Sequence, residues 1–159
     1  MADILQKEPY VVLSNDNENL TFYYDHLKFD RNGRNIEDKK WREHSDDIVT
    51  VFFDESFANC HNICSTKCWF KEFRNLTSVV GLNNLDTSKV THMGGMFFGC
   101  QSLQSLDLSS FKTTKVKSMN SMFEDCKSLR SLDLSSFDTS EVTDMSGMFY
   151  NCTTDFVFS

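Results

Sequence analysis

Three cysteines and a histidine lie close together in the segment Cys60-His61-x2-Cys64-x3-Cys68. Thiolates and imidazole nitrogens are the ligands that soft divalent metals prefer. Intervals of four residues would place Cys60, Cys64 and Cys68 on one face of a helix, with His61 as a fourth ligand. Zinc patterns usually add a second pair of ligands well downstream, and this sequence has none. Three interpretations remain open: a metal or redox site, a local disulfide in an exported protein, and buried or free thiols.

The remaining residues do not suggest catalysis. The four histidines, His26, His44, His61 and His92, are isolated from one another in sequence. The chain has no nucleophile elbow, P-loop, dinucleotide-binding fingerprint or His-Glu-x-x-His motif. We therefore predict a protein that is not an enzyme and that holds no resident metal or cofactor.

A period of 26 residues organises the second half of the chain. Apolar side chains return in register at this spacing, and a cysteine closes each copy. The repeating positions are Val90, Val116 and Val142; Met93, Met119 and Met145; Met96, Met122 and Met148; Phe97, Phe123 and Phe149; and Cys100, Cys126 and Cys152. One copy cannot bury its apolar side alone, whereas stacked copies form a continuous core. The period therefore predicts a stacked repeat architecture.

Each copy contains two hydrophobic rhythms. The alternation in Leu106-Asp107-Leu108 is typical of a strand with one buried face. The spacing of three from Val90 through Met93 and Met96 is typical of a short helix or of tight 3₁₀ turns. Thr91 and its counterparts in the next copies are candidate N-caps for these turns. The pattern predicts a parallel β-sheet with short helical turns on the returning side.

Three segments follow from these patterns. Residues 1–68 are predicted to form a β-rich cap with a polar loop, in which 10–25 form a hairpin and 48–53 a further strand. Residues 69–152 are predicted to form a leucine-rich-repeat-like solenoid of about three and a half repeats. Residues 153–159 form a C-terminal tail or closing strand. A cap is expected because the first repeat would otherwise expose its core and its strand edge.

Three motifs recur in the repeats: Leu-Asp-Leu-Ser-Ser-Phe, Asp-Thr-Ser-x-Val-Thr-x-Met and Met-Phe-x-x-Cys. From Leu76 to Cys152 they resemble the BspA-type leucine-rich repeats of bacterial surface proteins. Leu20–Asp25 and Phe53–Trp69 resemble the segment that often precedes such repeats in Bacteroidetes. The resemblance implies an α/β solenoid, a right-handed coil with a parallel sheet, and a role in adhesion or in recognition of protein partners. It also implies a cell-surface or secreted protein, whereas the sequence as given, without a signal peptide, favours the cytoplasm.

Polar side chains between the buried leucines are expected to project outward in rows. The positions are Gln104, Ser105, Asp107, Ser109, Arg130, Ser131, Asp133 and Ser135. A stacked repeat protein uses such an extended face to bind partners. In the alternative interpretation, Asp107 and Asp133 only solubilise the face or bond to the backbone of a neighbouring coil.

Charge and hydropathy narrow the range of partners. A net charge of −7 repels nucleic acid and anionic lipid. No apolar run approaches the roughly 18 residues of a membrane span. We therefore predict a protein partner, no nucleic acid and no membrane insertion, and a function as a non-catalytic protein-protein interaction or adhesion module. The alternatives are a structural protein that self-associates through an open C-terminal coil and, as a minor one, a metal or redox site at Cys60, Cys64 and Cys68.

Overall fold

The structure is a computed structural model that describes residues 6–153 and 155–157. Its strands are β1 (Glu8–Leu13), β2 (Asn19–Asp25), β3 (Arg34–Asn35), β4 (Thr50–Phe53), β5 (Ser78–Val80), β6 (Ser131–Asp133) and β7 (Asp155–Val157). Its helices are the short 3₁₀ segments η1 (Lys40–His44), η2 (Glu55–Asn59) and η3 (Leu82–Asn84). Among the described residues, no helix is long and apolar enough to cross a lipid bilayer.

The first five strands form one open mixed sheet in the order β3-β1-β2-β4-β5. The predicted hairpin in residues 10–25 is present as the antiparallel pair β1–β2, and β4 adds to β2 in parallel. β5 pairs with β4 in parallel although it lies in the segment predicted as repeats. The division at residues 1–68, 69–152 and 153–159 remains a prediction.

The predicted solenoid fold is wrong. The structure is a small mixed sheet of five strands with few helices, and that sheet is neither curled nor closed. Leu106-Asp107-Leu108 forms no strand, and beyond residue 80 the described strands are only β6 and β7. One period later Ser131–Asp133 is a strand because it pairs with β7, whereas no described strand pairs with Leu106-Asp107-Leu108.

The predicted helical turns on the returning side are also wrong. Residues 91–100 contain consecutive turns and no helix, because Gly95 and Gly99 have φ angles of 62° and 73°. Such positive values interrupt a right-handed helix. Thr91 is accordingly not an N-cap: its hydroxyl donates to the Cys64 carbonyl at 3.3 Å.

The 26-residue period produces hydrogen bonds between successive layers of turns. We call residues 86–100, 112–126 and 138–152 the first, second and third layer. Parallel bridges connect His92 to Ser118 and Ser118 to Asp144. The Met93 N–H donates to the Ser118 carbonyl at 2.9 Å, and one layer later the Met119 N–H donates to the Asp144 carbonyl at 2.9 Å. Equivalent backbone groups therefore repeat the same contact.

One apolar core joins the sheet to the layers. Phe97 and Phe123 stack with ring centroids 5.8 Å apart and planes 4° apart, and Phe123 stacks on Phe149 with the same values. On the other side, Phe97 contacts Phe70 at 5.5 Å. Phe22 of β2 continues the core toward the sheet, because its ring is 5.2 Å from Trp69.

Candidate interaction surface

The polar side chains predicted to project outward are all exposed. We call the surface that they form the polar surface. Its residues are Gln104, Ser105, Asp107, Ser109, Arg130, Ser131, Asp133 and Ser135. The leucines that alternate with them are buried at Leu108, Leu132 and Leu134, whereas Leu106 is half-buried. The alternation of polar and apolar residues therefore places polar side chains at the surface and leucines toward the core, even where no regular strand forms.

Two successive copies of the 26-residue repeat contribute to the polar surface. The Arg130 N–H donates to the Gln104 carbonyl at 3.2 Å, which places these backbones side by side. Asp107, Ser109, Asp133 and Ser135 line one shallow depression of about 100 Å³. Four of the eight predicted residues therefore surround a single concavity.

The two aspartates of the depression are held by hydrogen bonds from their own turns. Asp107 Oδ1 accepts from the Ser109 N–H at 3.0 Å and from the Ser109 hydroxyl at 2.6 Å. Asp133 Oδ1 accepts from the Ser135 N–H at 2.9 Å. These bonds stay within one turn, whereas the alternative interpretation had placed them between coils. Hydrogen bonds from the serines lower the pKa of both carboxyl groups below 3.8, so both are charged near neutrality.

The Cys60–Cys68 segment does not form the predicted helical face. Cys60 is buried just after η2, Cys64 is exposed, and Cys68 is half-buried with a φ of 57°. The Cys60 thiol donates to Asn62 Oδ1 at 3.1 Å, and the Cys64 thiol donates to the Asn62 carbonyl at 3.5 Å. The Cys68 thiol donates to the Gly94 carbonyl at 3.8 Å. In the part of the chain that the structure describes, no three His, Cys, Asp or Glu residues are grouped to hold a metal ion.

The other cysteines occupy one column of the layers. The Cys100 thiol donates to the Phe70 carbonyl at 3.2 Å, and the Cys126 thiol donates to the Phe97 carbonyl at 3.1 Å. Burial raises the pKa of Cys126 to about 12, and burial also raises the pKa of Cys100 well above its usual value. These thiols are therefore protonated donors that connect one turn to the previous one.

A histidine-aspartate pair was not apparent from the sequence. His61 Nδ1 lies 2.8 Å from Asp86 Oδ2 beside an open cleft of about 340 Å³ that Ser110 and Lys112 also line. Although partial burial opposes the shift, hydrogen bonds from Ser88 and His61 lower the pKa of Asp86 to about 2. The two residues are 25 positions apart in sequence, so only the stacking of turns brings them together.

Comparison with known proteins corrects the family assigned from the motifs. Residues 47–157 match the family model described as "Mycoplasma protein of unknown function, DUF285". This is a different family from the BspA-type leucine-rich repeats, so the resemblance stated above was wrong. Short motifs such as Leu-Asp-Leu-Ser-Ser-Phe reflect local packing, which unrelated repeats can share. No curated protein and no solved structure matches the chain.

Proposed function

The chain belongs to the DUF285 family, and we propose that it is a non-catalytic protein-protein interaction or adhesion module that binds its partner through the polar surface. One observation carries the proposal: all eight side chains of this surface are exposed, while the leucines beside them are anchored in the core. The surface combines exposed polar side chains with a fixed backbone.

The fixed backbone favours binding because it reduces the ordering cost of association. Immobilising a flexible side chain at an interface costs roughly 0.5–1.5 kcal/mol. Asp107 and Asp133 are already oriented by the bonds from Ser109 and Ser135, so little of that cost remains. Each carboxylate keeps acceptor capacity for a partner's N–H or O–H donors. A partner with Lys, Arg or backbone N–H groups opposite the depression would fit this chemistry.

The experiment compares two double variants in binding to a partner identified by in-cell cross-linking. Ser105→Arg/Ser131→Arg places two long charged side chains on the polar surface, at exposed positions whose side chains make no hydrogen bond among the described residues. Thr114→Arg/Ser128→Arg makes the same chemical change at exposed positions outside it. We expect the first variant to weaken binding to the purified partner by roughly tenfold or more, and the second to leave it unchanged. Equal affinities for the two variants would refute the proposal.

Self-association through the C-terminal coil, the structural alternative, has a physical obstacle. Two copies meeting head to head at the third layer would place the exposed Asp138, Glu141 and Asp144 of both copies in one interface. Like charges in direct opposition destabilise such a contact. Light scattering over a range of protein concentrations tests this alternative, which predicts that the measured molecular mass rises with protein concentration.

A further inference from the structure

An open cleft of about 390 Å³ is lined by residues from two segments, 36–39 and 62–65. Its apolar lining comes from Ile36, Ile63 and Trp69, which are all buried in the core. We call it the apolar cleft. Clefts with an apolar lining and a few polar groups are the usual sites for an apolar part of a ligand.

The second of these segments has unpaired backbone groups. Ser65 forms a parallel bridge with His92 of the first layer, and the hydrogen bonds to that layer belong to its neighbours Cys64 and Thr66. Because backbone groups of an extended chain point alternately to its two sides, those of Ile63 and Ser65 point away from the layer. Among the described residues, the N–H and carbonyl groups of Ile63 and Ser65 have no hydrogen-bond partner. An extended segment of another chain can pair with them as an added strand.

Two lysines connect the apolar cleft to a second depression. Lys39 lines the cleft, and its ammonium group donates to the Lys67 carbonyl at 2.9 Å. Lys67 and Lys71 line the second depression, which has a volume of about 230 Å³ and which we call the basic depression. The Lys71 ammonium lies 4.8 Å from the ring centroid of Phe98, a contact that restricts its position. The cleft and the depression therefore form one continuous surface.

The cations of this surface are not neutralised by neighbouring carboxylates. Within the described ranges, no carboxylate forms an ion pair with Lys39, Arg42, Lys67 or Lys71. Burial lowers the pKa of Lys39, and although Cys68 opposes the shift, the charges of Arg42 and Lys67 lower this pKa as well. Both cations are thus close enough to repel the Lys39 ammonium. A bound anion would relieve that repulsion.

Glu37 gives the surface a direction. This residue lines the apolar cleft and also an adjoining depression that Glu8 lines, whereas Lys39 and Ser65 line only the cleft. The acidic side chain therefore lies at the end of the cleft that is remote from the basic depression. A ligand that fits has an apolar group in the cleft and carboxylates toward Lys67.

We propose that this surface binds an extended acidic peptide segment of a second protein. The segment's backbone pairs with Ile63 and Ser65, an apolar side chain enters the apolar cleft, and carboxylates contact Lys67 and Lys71. Long polyanions fit less well, because the protein has a net charge of −7 and charges interact over roughly 8 Å at physiological ionic strength. Nucleic acid or an anionic membrane would extend past the basic depression to acidic parts of the protein. No residue is shared with the polar surface, so either proposal can fail without the other.

Synthetic peptides test the chemistry of the ligand. The probe is Gly-Ser-Leu-Ser-Glu-Glu-Glu-Gly, and two control peptides replace its three Glu by Lys or its Leu by Ser. In fluorescence anisotropy titrations with the whole protein, we expect saturable 1:1 binding of the probe. Binding should be roughly tenfold or more weaker for the Lys peptide and several-fold weaker for the Ser peptide. Equal binding of all three would overturn the proposal, as would tighter binding of an oligothymidylate or of phosphatidylserine vesicles.

Two matched variants test the basic depression. Lys67→Glu/Lys71→Glu reverses its charge and should weaken binding of the probe roughly tenfold or more, with the preference shifting to the Lys peptide. Lys89→Glu/Lys115→Glu makes the same change of net charge at exposed lysines outside the surface. The second variant should leave the affinity nearly unchanged, because distant charges are screened by salt. Equal effects of the two variants would overturn the proposal.

Cys64 gives a readout that requires no substitution. Its thiol is exposed and lines the apolar cleft, whereas Cys60, Cys100 and Cys126 are buried. Saturation with the probe should slow the alkylation of Cys64 by iodoacetamide several-fold, as measured by mass spectrometry of the digested protein, and the Lys peptide should not. An unchanged alkylation rate at saturation would mean that the probe binds elsewhere, which would overturn the proposal.

Discussion

At the scale of residues, single positions in each layer decide whether the turns can form. Four residues at corresponding positions of successive turns have a left-handed backbone conformation, with φ between 54° and 64°: Cys68, Gly95, Ser121 and Gly147. A residue with a Cβ pays roughly 1–2 kcal/mol for this conformation, which glycine adopts freely. Glycine fills two of the four places, so the others carry strain that the packing around them tolerates.

We predict that Ser121→Gly stabilises the protein slightly. Relief of the strained conformation outweighs the greater freedom of glycine in the unfolded chain, for a net gain of about 0.5 kcal/mol in the free energy of unfolding. Gly95→Ala is the converse change: its Cβ would meet Cys68 Sγ at 3.2 Å and should cost about 1–2 kcal/mol. Urea denaturation measures both. A loss of stability in Ser121→Gly would contradict the strain argument.

A buried threonine gives a second prediction at this scale. The Thr113 hydroxyl donates to the Asp138 carbonyl at 2.9 Å and accepts from the Asp138 N–H at 2.8 Å. Thr113→Val leaves both backbone groups unpaired and should lower the free energy of unfolding by about 2–3 kcal/mol. Thr139→Val is the matched control, because Thr139 occupies the same position one layer later and is exposed. Comparable losses in both variants would show that the hydroxyl bonds are not the cause.

At the scale of elements, the sequence predicted side-chain direction better than secondary structure. Alternation around Leu106 and Leu132 correctly separated exposed from buried side chains, and the β1–β2 hairpin followed from its β-prone runs. Alternation over three residues does not by itself specify a strand, because Ser131–Asp133 becomes one only by pairing with β7 and Leu106-Asp107-Leu108 has no such partner among the described residues. Spacing of three or four likewise failed to specify a helix at Cys60–Cys68. The exposure of Met145 was not predictable from its repeat position, which is buried in earlier layers.

The aspartate-capped turns predict how stability depends on pH. Asp86, Asp107, Asp133 and Asp144 all have a pKa below the unfolded value of 3.8, and that of Asp86 is about 2. A carboxyl group whose pKa is lower in the folded state stabilises the protein at pH values above its unfolded-state pKa. That stabilisation is lost as the pH falls through the folded-state pKa. The urea midpoint should therefore be level from pH 7 to about 5 and decline between about 4 and 2. Asp86→Asn should make the decline shallower. An identical slope in the variant would exclude Asp86 as a contributor.

At the scale of the whole molecule, the aromatic core makes the sheet and the layers interdependent. Phe22 of β2 packs on Trp69, and the contact continues through Phe70 to Phe97 and Phe123. A core that runs without interruption favours a single cooperative unfolding transition. The two halves then cannot lose structure independently, although only the first contains the five-stranded sheet.

This interdependence can be tested because both tryptophans, Trp41 and Trp69, lie in the N-terminal half. Phe97→Ala removes a fully buried ring from the layers and should cost about 3–5 kcal/mol. If the core is continuous, tryptophan fluorescence and far-ultraviolet circular dichroism will shift together to the same lower midpoint. Phe149→Ala, at a half-buried ring, should cost less and shift both probes by the same smaller amount. If the circular dichroism of Phe97→Ala has a lower unfolding midpoint while its tryptophan fluorescence keeps the wild-type midpoint, the layers unfold separately from the sheet. That result would mean that the aromatic core does not couple the layers to the sheet.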